Sequence, residues 1–454
     1  MTIGIVCSAA DKASQNIKHR LFELASWNES LPERRLWKYE HFRLLEVEGR
    51  FVDHNSYERD LNADLLIFAS RHQSEARKEP LITVHFTGDI CTEKEKRTKE
   101  NSLACAAPYP LKLLAVNLKR RATVGVLMEA THHGPYALET PSLFVEIGSS
   151  EHEWVRKDLG TLVAQAVLAL DPKVARRQCA TAVGFGGPHY AVRHTDVLLR
   201  TDVCFGHVFS TYQLRCLNES SIGQAFDKSN AQFAYFDKKS AGKYKRPIEH
   251  IVRALGYDVL RLVDISERKK IPWNAYFHIR STLRQNGIAI EDKHIRVSLK
   301  LQRELNTATT NANLQLNQLR LDRFVMKEVQ KADRDALRRM IEIERIVYLE
   351  STDGTISTIF APADLDVLAI EKALLERCVA ILKQHYEVEY LPSQSKLYIT
   401  TRKFNPQLAD SLGVSQGPLF AKLARGESIK VNDKVIKPED VITRVKKVID
   451  LTHA

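Results

Sequence analysis

Thr2-Ile-Gly-Ile-Val-Cys7, followed by Ile17, Leu21, Leu24 and Ala25, is the stretch whose reading sets the fold class. An apolar run of strand length passes into apolar residues three and four apart, the spacing of one helix face. A strand leading straight into a helix is how α/β sheets begin. Further apolar runs lie at Ala63 to Ala69, Leu81 to Phe86, Thr123 to Met128, Leu143 to Ile147 and Ala180 to Phe185. Most are nearly continuous rather than alternating, which suits strands covered on both faces. The pattern predicts an α/β fold with a mostly parallel sheet flanked by helices.

Ser150-Glu151-His152-Glu153 has the S-x-x-E spacing of a capping box, and Leu159, Leu162, Val163, Ala166, Val167 and Leu170 continue at helical spacing to Asp171-Pro172. One helix is therefore expected from Ser150. Its N-terminal N–H groups, entered through Val145-Glu146-Ile147-Gly148-Ser149, form a candidate anion site. Another helix is expected from Pro247 to Leu255. The charged run Arg268-Lys269-Lys270-Ile271-Pro272 marks a domain boundary, giving 1–270 and 271–454. Beyond it, Asn306 to Gln318 is rich in Asn, Thr and Gln, and Leu319 to Val347 has helical texture, so a helix-rich accessory domain is expected there.

The length of 454 residues allows about two or three domains. No apolar stretch reaches the roughly 18–20 residues of a membrane span, and Met1 to Ser8 leads into polar sequence rather than a signal h-region. The chain is read as cytoplasmic, without membrane association and with no obligate protein partner evident. Seven scattered cysteines form no CxxC pair and are expected to be reduced and mostly buried. A net charge of +11 is compatible with a polyanionic partner.

Eight of the sixteen histidines fall between His72 and His207. At predicted strand ends stand Thr83-Val-His85-Phe-Thr87-Gly88-Asp89, Met128-Glu129-Ala-Thr131-His132-His133-Gly134-Pro135 and Gly184-Phe-Gly186-Gly187-Pro188-His189-Tyr190. Neutral imidazole binds zinc or accepts a proton near neutral pH, and a carboxylate such as Glu129 can orient it or share a metal. Glycine turns expose N–H groups toward an anion. Three such turns meeting would build a hydrolytic site, whereas a single histidine at a strand end is more often a hydrogen-bonded structural group.

From Tyr235 to Arg246, Lys238, Lys239, Lys243, Lys245 and Arg246 follow Asp237 with no further acid and are interleaved with Tyr235, Phe236 and Tyr244. Basic groups neutralise phosphates and aromatic rings stack on unpaired bases, so this segment is the candidate nucleic-acid contact; a solvated loop is the plain alternative. No G-x-x-x-x-G-K-[ST], H-E-x-x-H or G-x-S-x-G occurs, which removes support for P-loop hydrolysis, zincins and the common serine hydrolases.

With those motifs in order, the first 270 or so residues closely resemble the archaeal and plant type of D-aminoacyl-tRNA deacylase. Thr83–Asp89, Met128–Pro135, Val145–Ser149 with Trp154, and Gly186–Tyr190 carry the resemblance. Asp89 stands where Asn is expected in many relatives, and no role is assigned to it. The resemblance implies a zinc-dependent hydrolase that splits D-aminoacyl-tRNA into D-amino acid and tRNA, with broad D-amino-acid specificity. It also implies a fold similar to peptidyl-tRNA hydrolase and purine nucleoside phosphorylase. On that reading His85, His132, His133 and His189, with Glu129, surround the ester and bind zinc or activate water. Gly186 and Gly187 offer N–H groups to the oxyanion, and Lys238, Lys239, Lys243, Tyr244, Lys245 and Arg246 contact the tRNA. Leu412–Glu427 and Val435–Val441 look like a C-terminal segment of the tRNA 3′-processing endonuclease tRNase Z, whose H-x-H-x-D-H motif is absent. The second domain is then an accessory module without nuclease activity, expected to touch tRNA. Two rivals stand beside this reading: a non-catalytic factor binding the tRNA 3′ end, and a nucleoside-directed enzyme.

Overall fold

The opening apolar run forms β1 (Ile3–Ser8), every residue of which is buried, in a computed structural model of the chain. The structure describes all residues except 55, 76, 92–101, 137, 172–178, 269–270, 308–313, 433 and 452–454. Lys269, Lys270 and part of the Asn-rich stretch expected around 306–318 thus lie outside the described residues. Two compact units are present, Met1–Ser266 and Glu267–Ala454.

In the first unit the chain passes from β1 into the helix Lys12–Leu24, where the Asp11 carboxylate caps the Ser14 N–H at 2.9 Å. Ala13, Ile17 and Leu21 form its buried face, while Leu24 is exposed. Then come β2 (Asn28–Leu31), β3 (Leu36–Tyr39), β4 (Phe42–Val47), β5 (Leu65–Arg71), β6 (Leu81–His85), β7 (Gly125–Met128) and β8 (Ser142–Gly148). These make one eight-stranded sheet in the order β2-β3-β4-β1-β5-β8-β6-β7. The β4-β1-β5-β8 block is parallel, but β8 pairs antiparallel with β6, and β2, β3 and β4 form an antiparallel meander. The sheet is therefore mixed, with four of its seven strand pairings parallel, where the sequence predicts a mostly parallel one. A second sheet, β10 (Val203–Phe209), β9 (Ala180–Phe185), β11 (Phe233–Phe236) and β12 (Asp258–Leu260), is wholly parallel.

The helix expected from Ser150 is broken in two. Glu151–Trp154 makes one turn, with the Glu153 carboxylate accepting from the Ser150 N–H and hydroxyl, and Lys157–Leu168 follows. Between them the Asn16 amide donates to the carbonyls of Trp154 and Arg156, at 2.9 and 2.8 Å, and draws the Trp154 carbonyl out of the helical ladder. A one-turn helix does not provide the anion site expected there.

The cysteine expectation also changes, because Cys91 and Cys216, 125 residues apart, form a disulfide across a Cα separation of 5.3 Å. Scattered spacing hides such a pair, since folding alone brings the two segments together.

The second unit has the helices that the sequence predicts and, beyond them, antiparallel sheets. The strands β13 (His294–Val297), β14 (Leu316–Leu319), β15 (Val347–Glu350) and β16 (Ile356–Pro362) form an antiparallel sheet in the order β13-β15-β16-β14. The expected helical stretch is present as Arg323–Ala332 and Arg334–Glu342, and its Val325, Val329, Leu337 and Ile341 enter one core with Ile359 and Ala361 of β16 and with Leu374 and Leu382 of the helix Val367–His385. A second sheet joins β17 (Glu387–Leu391), β18 (Lys396–Phe404) and a long last strand, Ile442–Asp450. The described residues of 405–441, inserted between its two long strands, fold as two short helices and the hairpin strands β19 (Ile429–Val431) and β20 (Lys434–Ile436) over a small core of their own. Among the described residues, no helix is long and apolar enough to cross a membrane.

Candidate active site

The strand β8 carries Phe144 and Glu146 on one sheet face, opposite His85 and Thr83 of β6. Because side chains alternate along a strand, these four share a face that also receives Ser70 from β5, opposite Glu146. The site thus begins on the sheet face as well as at strand ends. Glu146 is buried, takes the Thr83 hydroxyl at 3.3 Å, and lies 3.6 Å from His85 Nε2 and from His72 Nδ1.

After β7 the chain crosses over that face. Ala130 donates to the His189 carbonyl at 2.8 Å and Ala191 to the Met128 carbonyl at 2.9 Å, so Glu129 is laced to Tyr190 as an isolated bridge. This lacing brings the Gly186–Tyr190 turn onto the Met128–Pro135 turn. Ring centroids are then 4.3 Å apart for His85 and His132, 4.8 Å for His85 and His133, 4.4 Å for His132 and His133, and 4.6 Å for His132 and His189. The three turns read from the sequence do meet.

Backbone carbonyls fix three of the tautomers. Nδ1 of His85, His132 and His133 lies 3.1, 2.8 and 2.7 Å from the carbonyls of Phe86, Ala130 and Gly134. Only an N–H can face a carbonyl at that distance, which leaves the Nε2 lone pairs of the neutral rings free. One ligand atom from each of His85, His132 and His133 lies within 4.8 Å of the others, and the same holds for Glu129, His132 and His189, and for His72, Glu129 and Glu146. Two buried atoms in this group, His85 Nε2 and Glu129 Oε2, have no hydrogen-bond partner. A buried orphan lone pair is costly unless a further group fills it, and an imidazole–carboxylate donor set suits a divalent metal.

Electrostatics divide the cluster. Burial works against charge on Glu146, yet the facing His72 and His85 imidazoles, each 3.6 Å away, hold its carboxyl well below the usual range. Burial likewise pulls His72 and His85 down, but Glu146 and Glu129 outweigh it and both end raised. His132 goes the other way, held well below its ordinary value by burial and by the neighbouring His85, His133 and His189. One buried group of the cluster is thus kept anionic while His132 stays neutral at its centre.

His72 and Glu146 were not singled out as site residues from sequence. His72 Nδ1 is 3.4 Å from Glu129 Oε1, its Nε2 is 2.8 Å from the Tyr190 hydroxyl, and its carbonyl takes the Trp154 indole N–H at 2.9 Å. The signal for Glu146 was available, since one carboxylate in an otherwise apolar strand has to be paired. His189 is half-buried at the rim, with Nε2 3.1 Å from Glu129 Oε1.

Gly186 and Gly187 do not supply an oxyanion hole. Their N–H groups are taken by the Phe209 carbonyl at 2.8 Å and the Thr211 hydroxyl at 3.1 Å. Both sit at positive φ, 89° and 96°, and a Cβ at Gly186 would lie 3.1 Å from the Ala241 nitrogen, so they let the turn pass close under the 237–242 loop.

In the basic segment, Tyr235 and Phe236 belong to β11 and are buried, which removes them as base-stacking rings. Lys245 pairs with Glu249 at 3.1 Å, and Tyr244 is half-buried beneath the Lys243 ammonium, 5.3 Å from its ring centre. Lys238, Lys239, Lys243 and Arg246 are exposed. Their loop rests on the glycine turn through Thr211, which accepts from Gly187 and donates to the Ser240 carbonyl at 3.0 Å.

A family model described as D-aminoacyl-tRNA deacylase matches residues 59–260. The chain is 34% identical to the D-aminoacyl-tRNA deacylase of Methanococcoides burtonii over 100% of this chain and 97% of that one. It is 41% identical to the D-aminoacyl-tRNA deacylase of Methanosarcina acetivorans over 59% of this chain and 94% of the relative. Among solved structures, a crystal structure of a conserved protein of unknown function matches with a TM-score of 0.53 at 32% identity, covering 57% of this chain and 95% of that one. All cluster residues from His72 to Tyr190 fall within the family match. With whole-length identity added to that match, the chain belongs to the D-aminoacyl-tRNA deacylase family.

Proposed function

We propose that the chain hydrolyses the ester bond of D-aminoacyl-tRNA at the histidine–glutamate cluster, and that the metal held there is zinc. The observation that carries the reading is that His85, His132 and His133 each bring a ligand atom within 4.8 Å of the others, that Glu129 and His189 do the same around His132, and that His85 Nε2 and Glu129 Oε2 are unpartnered. His85, His132 and His133 would hold the ion, with Glu129 and His189 as the alternative set around the shared His132. When bound, zinc supplies Lewis acidity that brings the pKa of water at such a site to about 7.

The protein's own groups do the rest. Glu146 and His72 keep His85 and Glu129 in place from behind. His189, at the rim, faces Glu129 Oε1 through Nε2 and orients that carboxylate. Lys238, Lys239, Lys243 and Arg246 take the tRNA backbone beside the turn that carries His189, and Tyr244 borders them. The inserted 405–441 segment, with exposed Lys422, Arg425 and Lys434, adds a second tRNA contact. A fold of the peptidyl-tRNA hydrolase or purine nucleoside phosphorylase kind is part of the same reading, supported by the parallel second sheet. So is a cytoplasmic place of action, where the substrate is made.

The test follows tyrosine release from matched D-Tyr-tRNA and L-Tyr-tRNA, with and without chelator, in wild type, His85→Ala and His132→Ala. D-selective release, lost on chelation, restored by zinc and absent in both variants, is expected. Binding of tRNA without release would instead identify the 3′-end-binding factor.

A further inference from the structure

We propose that Gln213 and the Cys91–Cys216 disulfide are positioning elements for the His132–His133 turn, and that opening the disulfide with a dithiol weakens the metal centre. The inference rests on reading the histidine cluster as a metal site.

His132 is flanked by two backbone carbonyls, each gripped from a different segment. The Thr131 carbonyl accepts the Gln213 amide N–H at 2.8 Å, and the His133 carbonyl accepts the Gly88 N–H at 2.9 Å. Gln213 is buried, and its Oε1 is fixed by the Ser210 N–H and hydroxyl, both at 2.8 Å, so its amide can point only at Thr131. Gln213 opens the short 3₁₀ turn Gln213–Cys216, and Gly88 stands three residues before Cys91. The disulfide therefore ties together the two segments that clamp the turn. Leu214 and Ile90 pack in one core cluster beside it. The same loop also holds the turn's far end, through Thr87 Oγ1 donating to the Pro135 carbonyl at 2.8 Å.

The geometry matters because His132 and His133 carry their Nδ1 protons on Ala130 and Gly134 carbonyls of this very turn. A turn free to shift moves both Nε2 atoms relative to His85, which sits on the rigid strand β6. Metal affinity depends on such outer contacts by about 10–100-fold. Both cysteines are half-exposed and open to a small reductant. In the reduction the two thiols of dithiothreitol close to a cyclic disulfide, and the Cys91–Cys216 bond takes up the two electrons and two protons as two thiols.

The test uses the full chain, stripped of metal, with zinc affinity measured by competition against a fluorescent chelator and hydrogen exchange followed over residues 128–136. Wild type is compared before and after dithiothreitol, beside Cys91→Ser/Cys216→Ser and Gln213→Leu, the last keeping the disulfide in case the double variant fails to fold. Expected are a zinc affinity at least tenfold weaker in the reduced protein and in both variants, and faster exchange confined to 128–136. Unchanged affinity and exchange in all three would overturn the proposal. Should wild type bind no zinc at all, the metal reading fails by itself, and exchange alone decides the clamp: acceleration upholds it and its absence ends it.

Discussion

Glu146 Oε1 stands 3.6 Å from His85 Nε2, and its Oε2 stands 3.6 Å from His72 Nδ1, so one buried carboxylate on β8 faces two imidazoles brought by β6 and by the end of β5. That carboxylate raises both imidazoles against the pull of burial. Glu146→Gln keeps the shape and removes the charge. Turnover of D-Tyr-tRNA is expected to fall about 10–100-fold, with lower zinc content at equal folded yield. Wild-type turnover in this variant would show that Glu146 is only a buried structural acid.

The parts of this arrangement legible in the sequence are those with unmixed local signals. β1, β5, β6 and β8 are covered on both faces and read as continuous apolar runs. β2 lies at the sheet edge with three of its four residues exposed, so it has no apolar pattern to find. β10 is wholly buried, but Gly206 and His207 interrupt its apolar run. Gly206 is required there because a Cβ would meet Ser229 Oγ at 2.1 Å. His85, His132, His133 and His189 stood out because glycine turns accompany them. His72 escaped because its partners, Glu129, Glu146 and Tyr190, come from three distant segments. Tyr235 and Phe236 misled for the opposite reason: they adjoin the lysines in sequence, yet their strand carries them into the core.

Gly148 presses on the same network from the other side. A Cβ there would lie 2.6 Å from His72 Cδ2 and 2.8 Å from its Cβ, and His72 is fixed by Tyr190 and the two carboxylates. Gly148→Ala is expected to cost about 1–3 kcal/mol in denaturant unfolding and to lower kcat by displacing His72. Gly223→Ala, where the new methyl meets open space on a helix, is the control and should gain about 0.5–1 kcal/mol with kcat unchanged. Equal behaviour of the two variants would remove the steric argument.

His194 gives the fold an acid limit unrelated to catalysis. It is fully buried, neither ring nitrogen has a hydrogen-bond partner, and burial pushes its pKa down to about 4. The unfolded chain, with an ordinary histidine near 6.5, binds the proton first. Stability from this residue is therefore complete above about pH 6.5 and is lost as pH falls toward 4, by about 3 kcal/mol. His207, also pushed to about 4 by burial, adds to the same window. Urea unfolding from pH 7 to 4.5 should show this slope in wild type and a shallower one in His194→Leu. Identical slopes would mean that the buried imidazole does not set the limit.

On the proposed tRNA path, the loop that rests on the Gly186–Gly187 turn is a separate handle on substrate binding. Lys238, Lys239 and Lys243 are exposed, whereas Lys245 is engaged with Glu249. Charge at the first three positions is free for phosphates, and each phosphate neutralised releases its counterion. Lys238→Gln/Lys239→Gln/Lys243→Gln should raise KM for D-Tyr-tRNA while leaving kcat near wild type, because no member of the imidazole cluster is touched. The dependence of log affinity on log salt should become shallower by about 0.7–0.9 for each phosphate that the variant no longer neutralises. Lys245→Gln should change the salt slope little. A triple variant with an unaltered KM and salt slope would move the tRNA path away from this loop and toward the basic residues of the second unit.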